Sequence, residues 1–214
     1  MRQHLRFLLL SVGLTAALLA HGQDKDKGTP QKFTAAAALG MNLAQVDGDN
    51  ELGFKKPGVV VGASVAYVLH PRWNVGLEML FSQRGSNDPT DRDGNGQTYY
   101  SEYNYVELPF FVKFQDWKAE DKKGHRYMKI FAQVGVSYSR LFGGTLKVNG
   151  VPQPDNFEDF FKKDDLSLFL GAGFWFSYHW GADFRWTNSV VPFSTDITNR
   201  QWHRLISVRA LYRF

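Results

Sequence analysis

The final ten residues of the chain alternate between two kinds of side chain. The segment 205–214 reads LISVRALYRF, with apolar or small side chains at every second position from Ile206 to Phe214. Ser207, Arg209 and Arg213 occupy three of the intervening positions. Successive side chains of a β-strand point to opposite faces, so a period of two predicts a strand with one apolar face and one polar face.

Eight segments of the sequence share this alternation. They cover residues 33–46, 58–69, 73–84, 101–115, 127–142, 166–178, 180–188 and 203–214. Most reach the roughly 9–11 residues that a tilted strand needs to cross a bilayer. The connections between them are alternately long and short, which is typical of an up-and-down barrel with short periplasmic turns and long outer loops.

The charged residues indicate which face of each strand points into the barrel. A barrel in lipid places apolar side chains outside and polar side chains in the lumen. The predicted fold is therefore all-β: an eight-stranded antiparallel up-and-down transmembrane β-barrel. We expect it in the outer membrane of a Gram-negative bacterium, with both termini in the periplasm. A soluble ligand-binding barrel of the lipocalin kind is the alternative, and the rows of Leu, Val and Phe argue against it.

Residues 1–22 have the three parts of a secretory signal. Arg2 and Arg6 precede an apolar run, and Ala20-His21-Gly22 places small residues where a signal peptidase reads them. A retained anchor is the alternative, but the apolar run is shorter than the ~20 residues of a spanning helix. We predict a cleaved signal over 1–22, a short periplasmic segment over 23–32 and the barrel domain over 33–214.

Composition excludes several classes of function. The chain has no cysteine, which removes disulfides, thiol catalysis and Cys-based zinc sites. Without residues 1–22, which hold two arginines and no acid, 23 basic and 21 acidic residues remain, so the formal net charge falls from +4 to +2. No basic cluster interleaved with aromatic residues is present. We therefore expect no nucleic-acid partner, and we predict no cofactor.

Two stretches resemble known outer-membrane proteins. The last strand, with Tyr212 and Phe214 on its apolar face, resembles the C-terminal signal that the barrel-assembly machinery recognises in Gram-negative barrels. The segment YVELP at 105–109, followed by apolar residues and Lys113 before Phe114, resembles the signature of the PorT-like outer-membrane β-barrel domain. That resemblance implies an eight-stranded barrel, and the namesake of the family takes part in protein secretion. Pro109 lacks a ladder donor, so we expect it on the inward face at a bulge or bend.

Nine charged side chains fall on the predicted inward faces: Glu78, Arg84, Glu107, Lys113, Lys129, Asp183, Arg185, Arg209 and Arg213. An eight-stranded barrel is just wide enough for side chains to fill it. An unpaired buried charge costs several kcal/mol, so these groups must pair with one another. We predict a salt-bridged plug; a narrow ion or solute channel is the alternative.

A possible calcium loop lies in the second long connection. Asp91, Asp93, Asn95 and Glu102 match the spacing D-x-[DN]-x-[DN]-G-x5-E. An EF-hand needs a helix on each side, whereas Glu102 is predicted to lie on a strand. Asp, Asn and Gly are also common in any exposed turn. We expect a solvated outer loop and no metal site.

A lipid-modifying enzyme at the outer rim is a further alternative. The candidate catalytic residues are His203 with Ser194 or Asp196, in or beside the last long loop. A nucleophile, its base and an orienting acid must converge, and no spacing motif indicates that they do. We therefore predict that the protein is not an enzyme, and we interpret His203 as an interfacial residue at the start of a strand.

Aromatic residues in the outer loops are the candidates for partner binding. Phe157, Phe160 and Phe161 lie in the third long loop, and Trp202 lies beside the last one. Exposed apolar surface of this kind can mark a binding site, although these rings could equally cover the barrel rim. We predict an interaction or structural protein that is embedded in outer-membrane lipid and presents its loops to another protein, a polysaccharide or the secretion machinery.

Overall fold

Nine β-strands make up the described part of the protein. The computed structural model describes residues 32–47, 56–88, 98–152, 162–192 and 202–214. The strands are β1 (Phe33–Asp47), β2 (Lys56–His70), β3 (Trp73–Asp88), β4 (Tyr99–Glu120), β5 (Arg126–Val148), β6 (Val151–Pro152), β7 (Asp164–Trp175), β8 (Trp180–Ser189) and β9 (Trp202–Arg213). Within these residues there is no helix of the length and apolarity needed to span a membrane.

Eight of the strands close into a ring. Apart from the short β6, each strand pairs antiparallel with the next one along the chain. β9 then pairs with β1, from Ala36 opposite Arg213 to Asp47 opposite Trp202, and this closes the sheet. β6 extends only the end of β5, through two residue pairs. The eight-stranded antiparallel barrel predicted from the alternation is confirmed.

The apolar rows lie on the outside of this ring. Leu39 and Met41 on β1 are 60% and 56% exposed, and Leu168 and Leu170 on β7 are 51% and 58% exposed. The intervening positions of β7, such as Ser167, are buried in the lumen. Exposed apolar rows around a polar interior are the reverse of a soluble core and the arrangement that lipid requires. The assignment of faces from the sequence is therefore confirmed.

The β4–β5 hairpin is longer than predicted. Pairing between the two strands is continuous from Tyr99 opposite Val148 to Glu120 opposite Arg126, apart from a register shift between Asn104 and Tyr105. The sequence prediction stopped at residues 101–115 and 127–142 because charged and small residues interrupt the apolar row beyond them. Backbone hydrogen bonds do not need an apolar face, so the ladder continues past the membrane-facing part.

Two local features differ in part from the sequence prediction. β7 ends at Trp175 rather than at residue 178, because the N–H groups of Phe176 and Ser177 donate to the carbonyl of Trp180 and form a tight turn. Pro109 is buried in the lumen as expected, but no bulge accompanies it. The β3–β4 register is the same before and after it, with Leu77 opposite Phe110 and Leu80 opposite Glu107.

Glycine on the inward face makes room for aromatic rings. A Cβ atom at Gly173 would lie 2.2 Å from Cζ of Phe131, and one at Gly76 would lie 2.5 Å from Cζ of Phe111. Gly173 is the direct partner of Phe131 in the β5–β7 register. Both phenylalanines are buried, so the rings cover the bare backbone of a neighbouring strand and have little room to move.

Replacing Gly173 with Val should therefore destabilise the barrel by about 1–3 kcal/mol, because the new side chain must displace the Phe131 ring. The measurement is urea unfolding in lipid vesicles, followed by tryptophan fluorescence. Ala172→Val is the matched control, since Ala172 is the adjacent residue on the exposed outer face. Equal losses in the two variants would contradict the close packing of the ring against Gly173.

Asp121 organises the turn between β4 and β5. One carboxylate oxygen lies 2.9 Å from Nδ1 of His125, and the other accepts the backbone N–H groups of Lys123 and His125 at 2.8 and 2.9 Å. Gly124 adopts a φ of 83°, in the left-handed region that favours glycine. The hydrogen bond from the His125 side chain, with those from the backbone, favours the charged carboxylate and lowers the pKa of Asp121 to about 2.

A titration of the Asp121 carboxyl carbon by NMR should show a midpoint near 2 rather than the ordinary 3.8. A lowered pKa means that the stabilisation of the turn is fully present above pH 3.8 and is lost as the pH falls through about 2. His125→Ala should move the midpoint toward 3.8, whereas Lys122→Ala, which removes no bond to Asp121, should leave it in place. A wild-type midpoint at 3.8 would exclude this turn geometry.

Candidate functional site: the ion-paired lumen

The polar side chains of the lumen lie at three levels along the barrel, and β3 contributes one residue to each level. Arg84 lies toward the end of β3 that continues into a long loop, Glu78 lies near its middle, and Asn74 lies near the short turn that precedes it. All three are buried. They share a face because their positions differ by even numbers of residues, which is the period of a strand. Each level contains a separate group of contacts.

The level nearest the long loops is centred on Arg84. Its guanidinium donates to Glu107 Oε1 on β4 at 2.5 and 3.1 Å, to Asp165 Oδ2 on β7 at 2.6 Å and to the Ser139 hydroxyl on β5 at 2.9 Å. Asp165 also accepts two serine hydroxyls from β7 and β8. Arg84 is wholly buried, and its contacts connect four consecutive strands of the ring, β3, β4, β5 and β7, around one cation.

The middle level is a closed group of four charges. Arg185 and Arg209 both bind the carboxylate of Glu78, at 2.9 and 3.0 Å. Arg209 also donates to Asp183 at 2.9 and 2.5 Å, and the Gln133 amide donates to the same carboxylate at 3.0 Å. Two positive and two negative charges balance. Each buried ion therefore has an opposite charge in contact, which is the condition for tolerating charge in a narrow lumen.

These ion pairs cross the barrel. In the ring order β4-β3-β2-β1-β9-β8-β7-β5, strands β3 and β8 are four steps apart in either direction. Glu78 on β3 and Arg185 on β8 therefore connect opposite walls. Arg84 on β3 reaches Asp165 on β7, which is three steps away through β4 and β5. Side chains from several strands therefore meet inside the barrel at two levels.

The level nearest the short turns is different. Lys113 lies 4.8 Å from the ring centroid of Phe111 and 4.6 Å from that of Phe131, and the Arg213 guanidinium lies 3.9 Å from the centroid of Trp175. Neither cation forms an ion pair with a described carboxylate. The interactions of these two predicted lumen residues are therefore cation–π contacts.

Residues 22–193 match the outer membrane protein beta-barrel domain family. The chain belongs to this family. The match spans β1 to β8, and the closed ring with apolar rows outside is the structure that such a family requires. The protein is thus an outer-membrane β-barrel protein. No curated protein matches the chain.

Several solved structures are similar to this outer-membrane barrel at low identity. Ail, the attachment invasion locus protein of Yersinia pestis, is 12% identical over 86% of this chain and 100% of its own, with a TM-score of 0.49. Neisserial surface protein A is 10% identical over 85% of this chain and 97% of its own, with a TM-score of 0.45. OprG from Pseudomonas aeruginosa is 10% identical over 88% and 98%, with a TM-score of 0.42.

The structure brings six of the nine predicted lumen charges into the two ion-paired levels. These six are Glu78, Arg84, Glu107, Asp183, Arg185 and Arg209. Lys113 and Arg213 lie at the third level. Lys129 does not join any of the levels: its ammonium group contacts the rings of Trp117 and Phe174 at 5.2 and 6.0 Å. Lys129 is close to the short-turn end of β5, where the barrel wall ends and its side chain reaches outward-facing rings.

Three members of the calcium-loop candidate, Asp91, Asp93 and Asn95, lie outside the described residues. Glu102 is on β4, as predicted, and is bound to Lys56 at 3.0 Å and to the Tyr100 hydroxyl at 2.9 Å. Its carboxylate therefore has partners within the wall of the barrel. Among the described residues no group of three or more His, Cys, Asp or Glu side chains is arranged to hold a metal.

The candidates at the outer rim are only partly described. Ser194 and Asp196 lie outside the described residues, as do Phe157, Phe160 and Phe161. Trp202 begins β9 and is half-buried.

His203 is not an interfacial residue, because it shares the inward face of β9 with Arg209 and is buried in the lumen. Its Nε2 lies 3.3 Å from the Tyr105 hydroxyl.

The two residues of the predicted assembly signal lie on the outside of the barrel near the short turns. The Tyr212 ring packs against Trp180 and Phe214 at centroid distances of 4.9 and 5.4 Å and stacks on His179 at 5.6 Å. Trp73 and Phe114 form a similar pair, 5.0 Å apart, on the same end of the ring. An aromatic band of this kind marks the membrane interface of a barrel.

The predicted lumen network left out Asp165, Gln133, Ser139 and Asn42, although the alternation of segment 127–142 places Gln133 and Ser139 on its polar face. Asp165 precedes the predicted strand by one residue, and extending the alternation of Ser167 back by one step would have placed it inward. Asn42 bridges Ser82 at 2.8 Å and Ser207 at 2.7 Å. Its neutral side chain was passed over because the prediction considered charged residues only.

Replacing Arg84 with Met should destabilise the barrel by about 3–5 kcal/mol, because Glu107 and Asp165 would remain buried without their cation. Urea unfolding in lipid vesicles measures the loss. Arg140→Met is the matched control: its ion pair with Asp164 is exposed, so we expect a loss of about 0–1 kcal/mol. Similar losses for both arginines would mean that the Arg84 contacts do not hold the lumen together.

Proposed function

We propose that the protein is an interaction or structural protein of the outer membrane rather than a porin or an enzyme. A rigid barrel holds the long loops on the cell surface, where they contact another protein or a polysaccharide. The observation that carries this proposal is the pair of ion-paired levels that cross the lumen. A barrel with ion pairs across its lumen at two levels leaves its ends for contact with large partners such as a protein or a polysaccharide.

We also propose an orientation of the barrel in the membrane. The short turns 71–72, 121–125 and 176–179, together with both ends of the described ring, lie at one end of the barrel. In bacterial outer-membrane barrels the short turns are periplasmic and the long loops extracellular. We therefore propose that the termini of this chain lie in the periplasm and that residues 1–22 are a cleaved signal that directs export.

The resemblance of the YVELP segment to the PorT-like domain supports a more specific role. Glu107 and Pro109 of that segment are both buried in the lumen, and Glu107 binds Arg84. These two positions of the signature thus have structural roles in this chain. We place the protein in a secretion or surface-assembly process on the strength of the family resemblance, with the long loops as the contact region.

Site-specific photo-crosslinking in intact cells tests the loop proposal. A photoreactive amino acid at Phe157 should give discrete adducts with a protein or polysaccharide, whereas the same residue at Lys122 in a short turn should not give those adducts. Protease added to intact cells should cleave at the long loops only. Discrete adducts from position 122 and none from 157 would contradict both the orientation and the loop function.

The channel alternative has a separate test. The detergent-purified protein should be silent in a planar lipid bilayer, because arginines obstruct the lumen at two levels. Arg84→Ala and Arg209→Ala remove one obstruction at each level, so conductance in the double variant but not in the wild type would agree with a plug. Steady ion-selective conductance of the wild type would favour the channel instead.

A further inference from the structure

The short-turn end of the barrel contains a cavity with two parts. The outer part is a vestibule of about 570 Å³ between the β4–β5 hairpin and the ends of β1 and β9. The inner part is a pocket of about 70 Å³ inside the ring. Thr34, Gln115 and Arg213 line both parts, so the vestibule and the pocket adjoin each other.

The charged side chains of this cavity are predominantly basic. Lys118, Arg126 and Arg213 line the vestibule, and Lys113 lies at the inner pocket. Glu120 is the one acidic side chain among the lining residues of both parts, and it pairs with Arg126 at 3.4 Å. The cavity therefore carries an excess of positive charge that the described residues around it do not neutralise.

The acids deeper in the lumen do not compensate the two inner cations. Glu78 and Asp183 act on Lys113 electrostatically, but both already hold ion pairs with arginines of the middle level. Arg213 faces Trp175 and the ring of Tyr178. Aromatic rings attract a cation less strongly than a carboxylate does, so the two groups retain the capacity to bind an anion.

Two buried polar atoms at the same pocket also have no partner. Nε1 of Trp175 and Oδ1 of Asn74 make no hydrogen bond, although the two residues are only 2% and 4% exposed. Both residues line the inner pocket beside Lys113 and Arg213. Asn74 is the direct partner of Lys113 in the β3–β4 register, so the amide and the ammonium group belong to one site. Buried polar groups are normally satisfied. The indole N–H of Trp175 is a donor that an anion would satisfy, whereas Oδ1 of Asn74 is an acceptor, which the neighbouring Lys113 ammonium group or a water molecule would satisfy.

We propose that the inner pocket is an anion-binding site, in which Lys113, Arg213 and the indole N–H of Trp175 bind a phosphate or carboxylate group. The pocket has room for one such group. The vestibule, lined in part by Tyr127, Met128 and Tyr178, would accept the organic part of a larger molecule. This site lies at the end of the barrel opposite the long loops, and it does not depend on the function proposed for them.

The indole resonance of Trp175 in an NMR spectrum of the ¹⁵N-labelled protein in zwitterionic micelles provides the test. Trp175→Phe assigns the resonance. Titration with inorganic phosphate should shift it saturably. Phenyl phosphate carries an aromatic group in addition to the anion. It should bind more tightly than inorganic phosphate if the vestibule contributes to binding, and as tightly as inorganic phosphate if the site takes the free anion. A resonance that does not move with either compound would overturn the proposal, because the cavity would then hold only water.

Charge-matched variants separate the site from diffuse attraction. Lys113→Gln with Arg213→Gln should weaken phosphate binding by about tenfold or more, because both charge-assisted contacts are lost. Lys122→Gln with Lys123→Gln removes the same charge from the exposed turn at this end and should leave binding unchanged. Equal weakening in both pairs would indicate an adventitious ion only. The wild-type titration decides the question even if the first variant does not fold, and a heat-dependent mobility shift checks folding in each case.

Discussion

The structure depends on the requirement that no backbone polar group faces lipid unpaired. An open sheet has two edges, and each edge would present N–H and C=O groups to hydrocarbon at a cost of several kcal/mol per group. The pairing of β1 with β9 removes both edges at once. Closure in turn divides the side chains into an outer set that faces away from the barrel and an inner set that contacts other strands across the lumen.

The inner set then determines how the barrel can act. With eight strands the lumen has no room for bulk water, so buried charges must be neutralised by groups on other strands. Arg84 and Arg209 do this for four carboxylates at two levels. The same contacts connect strands that lie across the barrel from one another. The interior of this outer-membrane family member is therefore held together by contacts between strands that are distant in sequence.

The two ends of the barrel are not equivalent. Toward the long loops the lumen is packed with ion pairs, and His203 and Tyr105 lie beside them. Toward the short turns, Lys113 and Arg213 have aromatic neighbours in place of carboxylates, and both residues line the inner pocket. The ion pairs and the cavity thus lie in different parts of the described lumen.

The strand count, the faces and the inward position of most lumen charges follow from the sequence alone, because alternation is a local property of the backbone. The partners of those charges do not. Glu78 binds Arg185 and Arg209, which are 107 and 131 residues away, and that pairing exists only once the ring has closed in one register. Asp165 and Lys129 show where the local pattern fails. Asp165 lies just outside a predicted strand and yet joins the network, whereas Lys129 has the periodicity of a lumen residue and yet lies at the rim. The local pattern decides which face of a strand a side chain lies on. Which groups meet in the lumen depends on how far each strand is displaced along the barrel relative to its neighbours. That displacement is a property of the tertiary structure.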